Sequence, residues 1–275
     1  MHQASAFDLA HTPALGGTAP TTADRTAHKL GSFAVSYAAR LPSGTPKRYL
    51  DIGCGNGFIT SKVGGSFSDV VGVDVEPGRL AEFRSRVDGD GRYTILEQSA
   101  SATGLQGASF ALITCFEVLE HVPDVSAVAD EIVRLCAPGG IVIVSTPQVW
   151  FPFENHGITL GGRVIDRKIP LLPYLPALHR RLSRARVFSS AALDRIFAGR
   201  GLTLLHTAYA APQFERAAAR AGTWESYMRF LRPVLDQCEH IPGLKQLTGV
   251  SILKAYSKPV TDVPRQGGWT HCVQS

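Results

Sequence analysis

The chain is short of charge and of sulfur. Asp, Glu, Lys and Arg together make up 19% of its 275 residues, and it has two methionines and three tryptophans. With a net charge of only +5, neither a highly charged disordered chain nor an obligatory nucleic-acid partner is implied. No apolar run reaches the roughly 18 residues that a membrane span needs. Met1-His2-Gln3-Ala4 lacks the basic start and apolar stretch of a secretory signal, so the expected compartment is the cytoplasm. The five cysteines (Cys54, Cys115, Cys136, Cys238, Cys272) are odd in number, scattered and without a C-x-x-C pair. That argues against a disulfide framework and against a thiolate zinc site. There is no internal repeat.

What is present is an ordinary globular composition, 44% hydrophobic, organised around one stretch. Tyr49-Leu50-Asp51-Ile52 is a short apolar run, followed by Gly53, Gly55 and Gly57, and then by Phe58, Ile59 and Val63 at helical spacing. Strand, glycine turn and helix follow one another, as at a ligand-binding turn where side chains would obstruct the ligand. A dinucleotide-binding turn would need G-x-G-x-x-G, but its third glycine falls on Phe58. Asp51, two residues before the first glycine, would also repel a pyrophosphate and attract a cation.

Further along, Asp69 to Glu76 reads as a second strand ending in an acid. Asp74 lies about 20 residues beyond the glycines, where a ribose-binding carboxylate belongs. The alternative is a strand-end acid that merely caps the helix starting near Pro77. Tyr93 to Gln98 and Phe110 to Cys115 read as strands three and four. A helix carrying Val125, Val128, Ile132 and Leu135 on one face precedes a fifth strand, Ile141 to Ser145, with Pro138-Gly139-Gly140 as the helix stop. Arg25 to Leu41 and Ser189 to Ala198 are predicted helices; Gly201 to Ala210 and Val250 to Ser257 complete seven strands. Strands alternating with helices predict an α/β fold, a doubly wound, mostly parallel seven-stranded sheet with helices on both faces. Ligands of such sheets sit beyond the strand carboxyl ends, where Asp51, Asp74, Ser99 and Cys115–Phe116 all fall.

The motif Asp51-Ile-Gly-Cys-Gly-Asn-Gly57 resembles the first motif of class I S-adenosylmethionine (SAM) methyltransferases, and the resemblance covers about residues 47 to 146. Cys115 to Asp124 looks like the matching stretch of ubiquinone-biosynthesis O-methyltransferases, and Glu117-x-x-Glu120-His121 is also similar to that of small-RNA 2′-O-methyltransferases. The resemblance implies SAM as cofactor. Asp51, Gly53 and Gly55 would hold its methionyl end, Asp74 its ribose, Val75 the adenine face and Ser99–Ala100 the adenine edge, with Cys115 and Phe116 completing the site. Ser99 stands where the family usually has an aspartate. As base we take His121 first, with Glu120 and His156 as further candidates. A histidine bonded only to local backbone is an equal alternative for His121. Glu117, Glu120, His121 and His156 would also suit a divalent cation, although the reading adopted has none.

Two insertions complete the picture. Residues 147–187 are lid-like, with Trp150, Phe151 and Phe153 and then Arg180, Arg181, Arg184 and Arg186. A second, at 213–248, carries Phe214, Trp224, Tyr227 and Phe230. Both are expected to be helical and to wall an acceptor pocket. Residues 1–24 read as disordered and 259–275 as a tail, leaving 25–258 as the methyltransferase domain. The expected acceptor is a small or lipid-like molecule methylated at a hydroxyl. The basic insertion is suited to peripheral membrane contact at Arg180–Arg186, and no nucleic acid is expected. RNA methylation, a non-catalytic SAM-binding protein and a nicotinamide oxidoreductase are the alternatives.

Overall fold

A computed structural model describes residues 25–154, 156–165, 169–210 and 249–260. The start that was expected to be disordered, the second insertion with its aromatics and most of the tail lie outside the described residues.

The apolar runs form the expected strands. These are β1 (Arg48–Ile52), β2 (Asp69–Asp74), β3 (Tyr93–Glu97), β4 (Phe110–Phe116) and β5 (Cys136–Pro147). Four short strands in the first insertion, β6 (Phe153–Glu154), β7 (Ile158–Leu160), β8 (Arg163–Ile165) and β9 (Ile169–Pro170), precede β10 (Thr203–Ala210) and β11 (Ser251–Ser257). The main sheet has seven strands in the order β3-β2-β1-β4-β5-β11-β10. All neighbours from β3 to β5 pair in parallel; β11 runs antiparallel to both β5 and β10. It therefore lies inside the sheet, and β10 takes the edge.

Alternate residues of each strand face opposite sides, so one run supplies two cores. Leu50, Ile52, Val71, Ile113 and Val144 pack with α4 (Val125–Leu135) and α6 (Ser190–Ala198). Tyr49, Val70, Leu112 and Ile143 pack with α1 (Arg25–Ala38) and α2 (Phe58–Gly64). Leu80 and Phe83 of α3 (Pro77–Arg86) close over Cys54. Asp124 and Ser189 cap α4 and α6 by accepting the Ala127 and Ala192 amides. Helix α4 ends at Leu135, and Pro138–Gly140 belong to the irregular start of β5, where its register against β4 shifts.

The first insertion leaves the sheet at Pro147 and returns at Phe188, whose amide bonds the Pro147 carbonyl at 2.9 Å. Its described residues include one α-helix, α5 (Pro176–Leu182), a short 3-10 turn at Leu172–Tyr174 and the four short strands β6 to β9. Strands β6 and β9 pair, and β7 and β8 form a hairpin turned by Gly161-Gly162, both at positive φ. Two glycines between short β-prone runs are a sequence-level hairpin signal that the helical expectation overlooked. Among the described residues no helix is long and apolar enough to cross a membrane.

Candidate active site

The glycine turn hangs from β2. The Gly53 and Cys54 amides both donate to the Val73 carbonyl, at 2.7 and 3.1 Å. Gly53, Gly55 and Gly57 have φ of 76°, 51° and 71°, in the left-handed region that side chains resist. A Cβ on Gly57 would come within 1.9 Å of the Phe83 ring, and one on Gly53 within 2.1 Å of Val118. Gly55 differs, since its nearest obstacle would be Arg79 at 3.8 Å. The residue itself is buried, but nothing crowds it closely, and with Val75 exposed at the end of β2 the turn fits a nucleoside ligand.

Asp51 does not sit at the mouth of the turn as expected. It is buried beneath it, with Oδ2 accepting from Thr60 Oγ1 at 2.6 Å and Oδ1 from Thr114 Oγ1 at 2.7 Å. The Thr114 hydroxyl has one proton to give, so Tyr49 must be the donor in its 2.7 Å contact with Thr114. Burial pushes the Asp51 carboxyl up to about 6; the two threonine hydroxyls oppose the shift and the charge of Asp74 adds to it.

Asp74 already serves the backbone. Its Oδ2 accepts the Gly55 amide at 2.8 Å, and its Oδ1 the Val75 and Glu76 amides at 2.7 and 3.0 Å. A carboxylate has about four acceptor sites. Three are filled, leaving room for one ribose hydroxyl. Ser99 is exposed, its hydroxyl 3.0 Å from that of Ser101, and Ala100 is half-buried against the core. Thr103 pins this loop to α4 by donating twice to Glu131. Arg134 holds the Glu131 carboxyl down to about 2, helped by Thr103 against partial burial. Cys115 and Phe116 stand at the end of β4, but both side chains are buried in the cores, so only their main chain can face a ligand.

Beyond β4 the chain turns sharply. Glu117 has φ of 55°, and its Oε1 accepts from Ser145 Oγ at 2.8 Å. Glu117, Glu120 and His121 therefore do not leave one helical face together. His156 of the insertion joins instead, and Glu120, His121 and His156 each offer an atom within 4.8 Å of the others. Such a trio could hold a divalent cation. Glu120 is fully buried, and neither of its carboxyl oxygens has a hydrogen-bond partner among the described residues. Burial, reinforced by the charge of Glu117, raises its pKa well above the carboxylate range, so it is held as the neutral acid. It lies 3.9 Å from His121 Nε2, beyond hydrogen-bond reach. Burial also drives His121 down to about 3, with His156 adding to the effect, so His121 stays neutral.

Residues invisible to the motif reading hold this cluster. Glu154 of β6, also buried, binds His156, His179 and Ser183. The Arg186 amide donates to the Glu120 carbonyl at 3.1 Å, and its guanidinium donates to the Val122 and Pro123 carbonyls. Arg186 thus faces the loop after β4, whereas Arg180 and Arg181 remain exposed. No local spacing marks these partners.

A family model described as a methyltransferase domain matches residues 26–207. The ubiquinone biosynthesis O-methyltransferase of Psychrobacter cryohalolentis is 35% identical over 130 residues, which are 44% of this chain and 50% of that protein. Its namesake from Xanthomonas oryzae pv. oryzae is 33% identical over 148 residues, 52% of this chain and 60% of that protein. The chain thus spans about half the length of the curated relatives it matches. A SAM-dependent methyltransferase structure from Mesorhizobium loti superposes with a TM-score of 0.55 at 20% identity, covering 81% of this chain and 96% of that one. At that identity the likeness concerns the fold. With the family match extending from α1 into β10, and the glycine cradle in place, the chain belongs to the family of methyltransferase domains that use S-adenosylmethionine as cofactor.

Proposed function

We propose that the protein is an enzyme that moves the methyl group of SAM onto a hydroxyl oxygen of a small or lipid-like acceptor. Bound SAM would supply a methyl already made electrophilic by its sulfonium. The chain must then align the acceptor and remove its proton. The observation that carries the reading is the pair of imidazoles, His121 and His156, ring centroids 5.3 Å apart beside the carboxyl end of β4. Neutral imidazoles can accept a hydroxyl proton, and a base so placed contributes about 10²–10⁴ in rate. Glu120, as the neutral acid behind them, leaves no uncompensated anion to draw that proton elsewhere.

The acceptor's class rests on the insertion. Leu171, Leu175 and Leu178 are exposed beside Arg180 and Arg181. An apolar face edged with positive charge suits a lipid-like acceptor presented at an anionic membrane. The curated relatives, named for ubiquinone biosynthesis, point the same way. Incubation with isotopically labelled methyl-SAM and a fractionated cell extract, followed by mass spectrometry, tests the proposal. A labelled methyl ether supports it. Label on nitrogen or carbon, or on RNA bound in a salt-dependent way, refutes it, and SAM binding without any labelled product would make this a non-catalytic SAM-binding protein.

A further inference from the structure

Glu154 is a buried carboxylate of the insertion, held from several sides. Its Oε1 accepts the His156 amide at 2.6 Å and lies 3.3 Å from His156 Nδ1. Its Oε2 takes His179 Nε2 at 2.5 Å and Ser183 Oγ at 2.8 Å. Three hydrogen bonds and the His156 ring contact surround the carboxylate. Burial alone would raise the Glu154 pKa, but the bonds from His156 and His179 hold it well below the usual range, so the group is an anion. Oε2 thus ties β6 to α5 and Ser183, while Oε1 faces His156, once through its backbone and once through its ring.

An anion beside Nδ1 selects the tautomer that carries its proton there, as carboxylates do for imidazoles elsewhere. Nε2 of His156 then keeps its lone pair. The ring is part-exposed and stands edge-on to His121, at 77° between planes. His121 is worse placed to be the base. Among the described residues its buried Nδ1 has no partner, its ring is tied to the Arg184 backbone, and no carboxylate within hydrogen-bond reach supports a proton on it.

We propose that His156 is the catalytic base of the methyl transfer and that Glu154 is its positioning residue. This rests on the hydroxyl-acceptor reading above. The acceptor O–H gives its proton to His156 Nε2 as the oxygen bonds to the methyl carbon. The carbon–sulfur bond breaks with its electron pair, leaving S-adenosylhomocysteine, the methyl ether and an imidazolium beside the Glu154 carboxylate. Charge and atoms balance without any other reactant.

The test uses the full chain with catechol and nitrocatechol as acceptor probes. Nitrocatechol is the more acidic and is largely ionised at assay pH, so it has little need of a base. His156→Ala is expected to lower kcat on catechol by about 10²–10³ and to affect nitrocatechol far less, with SAM affinity unchanged by calorimetry. Glu154→Gln should show the same acidity-dependent pattern in smaller measure. His179→Ala is the control: it disturbs the same buried carboxylate from the other side, so it should lower the melting temperature and slow both probes alike. Equal losses on both probes for His156→Ala, or an acidity-dependent loss in His121→Ala instead, would overturn the assignment. Histidine ¹⁵N NMR supplies a readout that needs no turnover. His156 should carry its proton on Nδ1 in the wild type and lose that preference in Glu154→Gln; a wild-type proton on Nε2 refutes the positioning role. If the wild type methylates neither catechol, the acceptor reading and the base fail together for these probes, and the NMR result still decides what Glu154 does.

Discussion

Replacing Asp51 by Asn should make the protein more stable at neutral pH and worse at binding its cofactor. The carboxyl is buried, and its folded pKa of about 6 stands above the ordinary 3.8. A raised acid pKa means that the folded state binds more protons than the unfolded state between those values. Stability from this group is therefore lost as pH rises through that window, and the full penalty applies above it. Two units correspond to about 3 kcal/mol, an upper figure because the hydroxyls of Thr60 and Thr114 can reorient around a neutral amide. Urea melts of wild type and Asp51→Asn at pH 4, 5, 6, 7 and 8 would measure this, using about the range over which the carboxyl titrates. The difference between the two proteins cancels every other titrating group, and it should grow by about 2–3 kcal/mol in favour of Asn from the lowest pH to the highest. Calorimetry at neutral pH should show SAM affinity reduced about tenfold or more, since the anion under the turn attracts the cationic ligand. Parallel stability profiles would refute the buried-anion argument, and unchanged affinity would refute the role assigned to the charge.

Asp74→Ala removes the acceptor of three backbone amides and should raise the SAM dissociation constant at least about tenfold, at roughly 1.5–3 kcal/mol per charged hydrogen bond; unchanged affinity in a folded variant would end the ribose assignment. Gly57→Ala drives a Cβ into Phe83 and should cost about 1–2 kcal/mol in backbone strain plus about 1–3 in overpacking, read from the urea midpoint. Gly55→Ala lacks that clash, so it should lose only the strain yet bind SAM more weakly, and equal destabilisation of the two would contradict the geometry. Arg186→Ala should loosen the loop after β4 and lower the melting temperature, whereas Arg180→Ser should change stability by less than about 0.5 kcal/mol and slow only acceptors carried on anionic vesicles. Activity should survive exhaustive treatment with EDTA; its loss, with restoration by magnesium, manganese or zinc, would instead place a cation among Glu120, His121 and His156.

Much of the framework is local in sequence and so was legible there. Apolar runs such as Val70–Val73 and Phe110–Cys115 are too continuous for a one-faced sheet, and strand-end acids and glycines mark where a parallel sheet opens to ligand. Ser189 and the glycine turn announce their helices by chemistry confined to a few residues. Gly161-Gly162 was equally local, a hairpin signal inside an insertion expected to be helical. The partners of Asp51 were not legible, since Thr114 lies 63 residues away and reaches it only because β4 pairs with β1. The same holds for Glu154 and Ser183, 29 residues apart, and for Arg186 and Val122, 64 apart.

By itself, then, the sequence determined the order of strands and helices of the main sheet, the glycine cradle and the acids at the strand ends, because hydrophobic period and turn chemistry act over neighbouring residues. Only the tertiary structure decided that Asp51 is buried, that Glu117 turns to Ser145 and that Glu154 takes hold of His156. It also set the charge each group carries. Burial and hydrogen-bond partners fix protonation, and both exist only once distant segments have packed against one another.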